Sequence, residues 1–205
     1  MTIYFIFIPL FIILIALFLF YINRKKRAAA ERLQEIADRR GYKIEKKLGN
    51  YIFEVVSEDR IMQIFPSITD LDSNKDGILL SATLENLPLK GVLIRKRFSG
   101  EDYSVKQQEG KVLLTDLGYD DALRIYAEES TIEKSKEILK RNPDFMENII
   151  ALAGNAYTLQ ISENNNWLRI DYRTKGALRK TSEIEQAIDE VLILLSDYVN
   201  LKTDF

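Results

Sequence analysis

The chain has 205 residues, with 29 Lys or Arg against 31 Asp or Glu, a formal net charge of -2, and neither cysteine nor histidine. Without Cys there is no disulfide framework, thiol nucleophile, iron–sulfur cluster or thiolate zinc site, and without His there is no Ser-His-Asp triad, imidazole base or His-ligated metal. The length fits one apolar segment plus one domain able to bury its own core.

From Ile3 to Ile22 the sequence reads IYFIFIPLFIILIALFLFYI, without a charge. At about 1.5 Å per residue this covers a hydrocarbon core of roughly 30 Å, so it predicts a single-pass transmembrane helix that serves as a signal-anchor. Tyr4 and Tyr21 stand near its ends, where an amphipathic ring suits a membrane interface. The basic run Arg24-Lys25-Lys26-Arg27 follows the apolar stretch and does not precede it, which is the order of a retained anchor; a cleaved signal peptide is the competing reading. Basic residues beside a span are held on the cytoplasmic side. The expectation is therefore an inner-membrane protein with its N-terminus outside and its C-terminal domain cytoplasmic. On this reading residues 1–27 are the anchor and basic stop segment, meeting the lipid bilayer through Tyr4, Tyr21, Arg24, Lys25, Lys26 and Arg27, and residues 28–205 are a soluble α+β domain. Residues 1–27 hold four bases and no acid, which leaves 25 bases and 31 acids, a net of -6, in the remainder. Such a domain lacks the basic surface that replaces phosphate counterions, so nucleic acid is not an expected partner.

Between Tyr21 and Arg40 there is neither Gly nor Pro, and Leu33, Ile36 and Ala37 form an apolar stripe. The helix should therefore continue out of the apolar stretch and stop at Gly41. Runs rich in β-branched and aromatic residues predict strands over Tyr42–Lys47, Tyr51–Ser57, Arg60–Phe65, Ile78–Glu85, Gly91–Phe98 and Lys111–Thr115, with Leu123–Glu128 read as a strand although its pattern also suits a helix. Ser130-Thr131-Ile132-Glu133 is a capping-box pattern opening a helix to about Arg141. Asn142-Pro143 should cap and start the next helix, buried through Phe145, Met146, Ile149, Ile150 and Ala153 and ended by Gly154. Tyr157–Ser162 and Trp167–Arg173 read as a hairpin across Glu163-Asn164-Asn165-Asn166, and Ser182-Glu183-Ile184-Glu185 as a second capping box before a last helix packed across the sheet. The fold class predicted is α+β, a mixed, mostly antiparallel sheet packed with helices behind the transmembrane helix.

Asp72, Asn74 and Asp76, followed by Gly77, match the first half of an EF-hand loop, where alternate oxygens turn inward. Thr83 stands where the bidentate Glu belongs and the flanks look like strands. An Asp- and Asn-rich turn is the plainer reading and a Ca²⁺ site the alternative; no other cofactor is expected. Asp116, Asp120 and Asp121 read as helix N-capping or a solvated turn, with Mg²⁺ as the alternative. Trp167 reads first as cross-strand packing and second as an exposed recognition aromatic.

Arg40-Gly41, Leu87-Pro88-Leu89-Lys90-Gly91-Val92 and Gly118-Tyr119-Asp120, in this order behind an N-terminal span, resemble a group of uncharacterised bacterial single-pass membrane-anchored α+β proteins. The resemblance implies architecture and membrane attachment and carries no catalytic residues with it. Two functions are in view: a membrane-tethered protein-interaction or structural domain with a protein partner, and a metal- or ligand-responsive domain built on the 72–77 loop.

Overall fold

Alternating apolar residues fall into register across the strands and make one continuous row. Ile44, Phe53, Ile64, Leu80, Ile170, Ile161, Ile94 and Ile125 pair neighbour to neighbour over eight strands. All but Ile44 are buried, each contributing about 1.5–3 kcal/mol of apolar burial. The computed structural model describes residues 2–47, 50–57, 60–68, 76–84, 87–98, 107–108, 110–164 and 166–203; the side chains of 2–10, 56–57, 60–61, 107–108 and 164 are outside that description.

The strands are β1 (Lys43–Lys47), β2 (Asn50–Ser57), β3 (Arg60–Ser67), β4 (Gly77–Thr83), β5 (Leu93–Lys96), β6 (Gln107–Gln108), β7 (Lys111–Leu113), β8 (Leu123–Ala127), β9 (Ala156–Asn164) and β10 (Trp167–Thr174). They form one sheet in the order β1-β2-β3-β4-β10-β9-β5-β8-β7-β6. Every pairing is antiparallel, so the expected mixed sheet is replaced by a wholly antiparallel one. Its centre is the late hairpin β9–β10, which inserts between β4 and β5. Helices α1 (Thr2–Arg40), α2 (Ile132–Arg141), α3 (Pro143–Asn155) and α4 (Thr181–Val199) complete the α+β fold. α4 lies against β4 and β10, α3 against β9 and α4, and α1 against α4, β1 and β2.

Among the described residues no helix is long and apolar enough to cross a membrane. This overturns the expected single-pass transmembrane signal-anchor, and with it the inner-membrane localisation with an outside N-terminus and a cytoplasmic domain. α1 runs from Thr2 to Arg40, and its side chains are described from Phe11 onward. Phe11, Ile12, Ile13, Leu14, Ile15, Leu17, Phe18, Leu19, Phe20 and Tyr21 are 43–67% exposed, on every side of the helix. The body covers α1 only from Ala29 onward, through Ala29, Leu33, Ile36 and Ala37. The helix crosses the expected 27/28 domain boundary without a break and ends as expected at Gly41, whose φ of +67° suits a glycine beyond a helix end.

Helix starts differ from the sequence expectation. Ser130 lies in a 3-10 turn, Glu129–Thr131, and α2 opens without a side-chain cap; the Thr131 amide is already satisfied by the Glu128 carbonyl at 2.9 Å. Asn142 makes no cap bond to α3. Its amide nitrogen donates to the Ile138 carbonyl at 2.7 Å, and its oxygen accepts from the Lys202 amide at 3.0 Å, tying the chain's end to the α2–α3 corner. Gly154 falls inside α3. α4 starts at Thr181, and its cap is Glu183, whose Oε2 accepts from the Arg179 and Lys180 amides at 2.9 and 3.0 Å. Glu185 is thereby released to face α1.

Candidate interaction site

The sequences of α3 and α4 contain Asp144, Glu147, Glu183, Glu185, Asp189, Glu190 and Asp197 and no Lys or Arg. The fold divides these acids between two flanks of α4. Toward α1, Arg40 Nη1 and Nη2 donate to the two Asp189 oxygens at 2.5 and 2.9 Å. Arg39 Nη2 lies 3.1 Å and Arg40 Nε 3.5 Å from the Glu185 carboxylate. The bond to Asp189 raises the Arg40 pKa, and the same bond holds the Asp189 carboxyl below its ordinary range against some desolvation. Arg32 Nη1 also donates to the Arg179 carbonyl, and Thr181 Oγ1 to Glu35 at 3.2 Å.

On the other flank α4 meets α3 in an open groove of about 190 Å³, lined by Asn148, Ala151, Asn155, Glu190, Ile193 and Leu194 among others. That is below the roughly 300 Å³ where small-molecule pockets begin, and suits a single side chain. Ile193 is 57% exposed within it, a large aliphatic group left to solvent. Here the acids meet only neutral donors: Glu190 accepts from Gln186 Nε2 at 3.0 Å, and Asp197 from Asn148 Nδ2 at 2.9 Å. Burial first, then the nearby Glu190 carboxylate, push the Tyr172 phenol's pKa up. Among the described residues no cation pairs with Asp144, Glu147, Glu190 or Asp197. At the C-terminal end of α3 Lys96 Nζ donates to the Ala156 carbonyl at 2.5 Å and Lys175 to the Gly154 carbonyl, which answers the negative end of the helix. Burial, then Lys175, lowers the Lys96 pKa.

Beneath the last turn of α4 lies a buried acid. Glu163 stands in the core-facing row of Val55, Met62, Ala82 and Leu168 and is 2% exposed. Its Oε2 accepts from the Tyr198 hydroxyl, and Oε1 has no hydrogen-bond partner. Burial raises its pKa, opposed by Tyr198, the Gly91 amide, Lys111 and Lys90; burial and then the adjacent carboxylate raise Tyr198 in turn. The Pro88–Gly91 turn closes over this pair. Gly91 has φ +76°, and a Cβ there would come within 2.6 Å of the Glu128 carboxyl group.

The residues expected from sequence fall elsewhere. Asp72 and Asn74 lie outside the described residues. Asp76 is fully buried and turned inward, Oδ2 accepting from the Leu178 amide at 2.9 Å and its carbonyl from the Thr174 amide at 3.0 Å. Among the described residues no group of three or more acidic side chains could hold a metal ion. The Tyr4 side chain is outside the described residues; Tyr21 is exposed with Lys25 Nζ 5.6 Å from its ring centroid, and Arg24, Lys26 and Arg27 are exposed on α1. Asp120 and Asp121 sit by arginines: Arg124 donates to the Asp120 carbonyl at 2.6 Å, and Arg97 Nη1 lies 3.5 Å from Asp121. Trp167, read first as packed, is 51% exposed. Sequence reasoning placed Glu163 in a turn and missed it; the parity of Leu159 and Ile161 would have put it on the core face.

No protein-family model and no curated protein matches the chain. Among solved structures, the crystal structure of the mycobacterial trehalose monomycolate transport factor A is similar at 12% identity and a TM-score of 0.46, over 90% of this chain and 98% of that one.

Proposed function

We propose that the protein is a non-enzymatic interaction module that docks a protein partner on the α3–α4 face. The observation behind this is the split of acids on α4: one flank is neutralised by Arg39 and Arg40, while on the other, beside an exposed isoleucine, no cation among the described residues pairs with the acids. An apolar centre rimmed by polar groups is the anatomy of a protein interface. The buried titratable groups do not compete as a catalytic centre, because Glu163 and Tyr198 are each only 2% exposed and Asp76 is fully enclosed; a substrate does not reach them.

Photo-reactive amino acids placed at Ile193 and at Ala151 in the full chain test this, with Lys136 on α2 as the control position. The expected result is one protein adduct of the same mass from both groove positions and none from Lys136. That protein, once purified, should bind the wild-type chain and not Ile193→Asp. Absence of a groove adduct, or a substrate turnover abolished by Ile193→Asp, would overturn the reading.

A further inference from the structure

α4 already holds one basic amphipathic helix. On its inner flank α1 buries Leu33, Ile36 and Ala37 and sets Arg39 and Arg40 on Glu185 and Asp189, one helical turn apart. The outer flank carries the same kinds of group: exposed Ile193 and Glu190 line the groove, Asp197 lies one turn from Ile193 on α4, and Asp144 and Glu147 lie one turn from the groove-lining Asn148 and Ala151 on α3.

We infer that the segment docked on this flank is a basic amphipathic helix of another protein, one apolar side chain entering the groove and Lys or Arg facing Asp144, Glu147, Glu190 and Asp197; this rests on the reading of the α3–α4 face as the partner site. Three observations select that occupant. Among the described residues no cation pairs with these acids, so a basic partner gains where an acidic one is repelled. The groove of about 190 Å³ takes a side chain and not a metabolite. Strand addition at the β1 edge is disfavoured because that strand reads Lys-Ile-Glu-Lys-Lys, a charged edge that resists pairing. The chain's own basic run does not fill the site. α1 is one unbroken helix whose Arg40 sits at Asp189, so Arg24 lies about 24 Å away along it. Arg32 meets Arg179 and Arg40 meets Asp189, so that displacement runs past the N-terminal end of α4, away from Ile193.

The probe is a fluorescein-labelled Leu/Lys amphipathic peptide of about 18 residues, long enough to form a helix on binding, with a Leu/Glu analogue and a Ser/Lys analogue. Anisotropy is read with the full chain in a mild nonionic detergent. The Leu/Lys peptide should bind, and weaken about tenfold between about 50 and 500 mM salt. Binding should also fall about tenfold in Glu147→Lys and in Ile193→Asp, and stay unchanged in Lys136→Glu on α2. The Ser/Lys peptide should bind more weakly, for want of the apolar anchor, and the Leu/Glu peptide should not bind. Glu147 and Ile193 are both exposed, so unchanged circular dichroism will confirm folding. Leu/Lys binding indifferent to both groove variants, equal binding of Leu/Glu, or self-association of the chain abolished by Ile193→Asp would each overturn the inference. A protein adduct at Ile193 that persists beside any of the first two leaves the docking reading standing and removes only the charge assignment.

Discussion

The two ends of α4 are fastened by different physics. Its first half is held to α1 by ion pairs and charge-assisted hydrogen bonds that remain partly wet: the Arg40 side chain is 24% and Asp189 48% exposed. Its last turn is held by buried polar and aromatic contacts. Tyr198 donates to Glu163, and Phe145 meets the Tyr198 ring edge-on at 6.0 Å between centroids. The first arrangement tolerates loss because water replaces a lost partner. The second does not, because a buried group that loses its partner keeps its full desolvation cost. The difference also explains the free acids. Cations from α1 reach only the first half of α4, so Glu190 and Asp197 beyond it meet neutral donors alone.

Breaking the dry end has the largest expected effect. Tyr198→Phe removes the donor to a carboxylate whose other oxygen is already unpartnered, and should cost about 1–3 kcal/mol in urea unfolding. Glu163→Gln should cost much less, since it removes the buried charge and keeps an acceptor for Tyr198. If the two variants lose equal stability, the hydroxyl–carboxylate bond is not what holds this end.

The pH dependence separates the ends by sign. The folded Glu163 value is raised above its ordinary 4.5, so its stabilisation is fully present below about that pH and is lost as pH rises through the folded value. The folded Asp189 value lies below its ordinary 3.8, so its stabilisation is present above that pH and is lost as pH falls through the folded value. Unfolding midpoints against pH should therefore rise toward neutrality in Glu163→Gln relative to the wild type. Asp189→Asn should flatten only the acid limb. Exchanged effects would reverse the assignment.

Breaking the wet end should cost less. Arg40→Ala is expected to lose about 1 kcal/mol, and the loss should shrink at high salt, where the pair is screened. A salt-independent loss above that size would mean packing and not charge fastens α1. The smallest effect is at the free acids. Glu147→Lys should shift stability by no more than about 0.5 kcal/mol, while weakening binding of the basic amphipathic peptide about tenfold. A larger stability change would show that this acid is already engaged in the fold.

Much of the fold was legible because its signals are local. Period-two apolar residues marked the strand pairs, including Leu123–Ala127; Gly41 marked the end of α1; Pro143 opened α3. The capping residues were less legible. The Ser130 and Ser182 patterns match the motif, but a 3-10 turn and an earlier start of α4 took the amides they were expected to satisfy. The long apolar stretch pointed to a membrane span because hydropathy is read along the chain; among the described residues no helix is long and apolar enough to cross a membrane. The candidate site was hardly legible. Its acids lie on helices 40–50 residues apart in the chain, and which of them meet an arginine depends on how far α1 reaches along α4.

By itself the sequence determined the composition that excludes imidazole and thiol chemistry, the antiparallel hairpins, and the surplus of acids after residue 27. Those are properties of neighbouring residues and of totals. Only the tertiary structure decided that the last hairpin enters the middle of the sheet, that Glu163 faces the core, and that one flank of α4 is neutralised while the other is left acidic. Each of those rests on contacts between residues far apart in the chain, whose pairing is set by packing of the whole apolar row and not by any local preference.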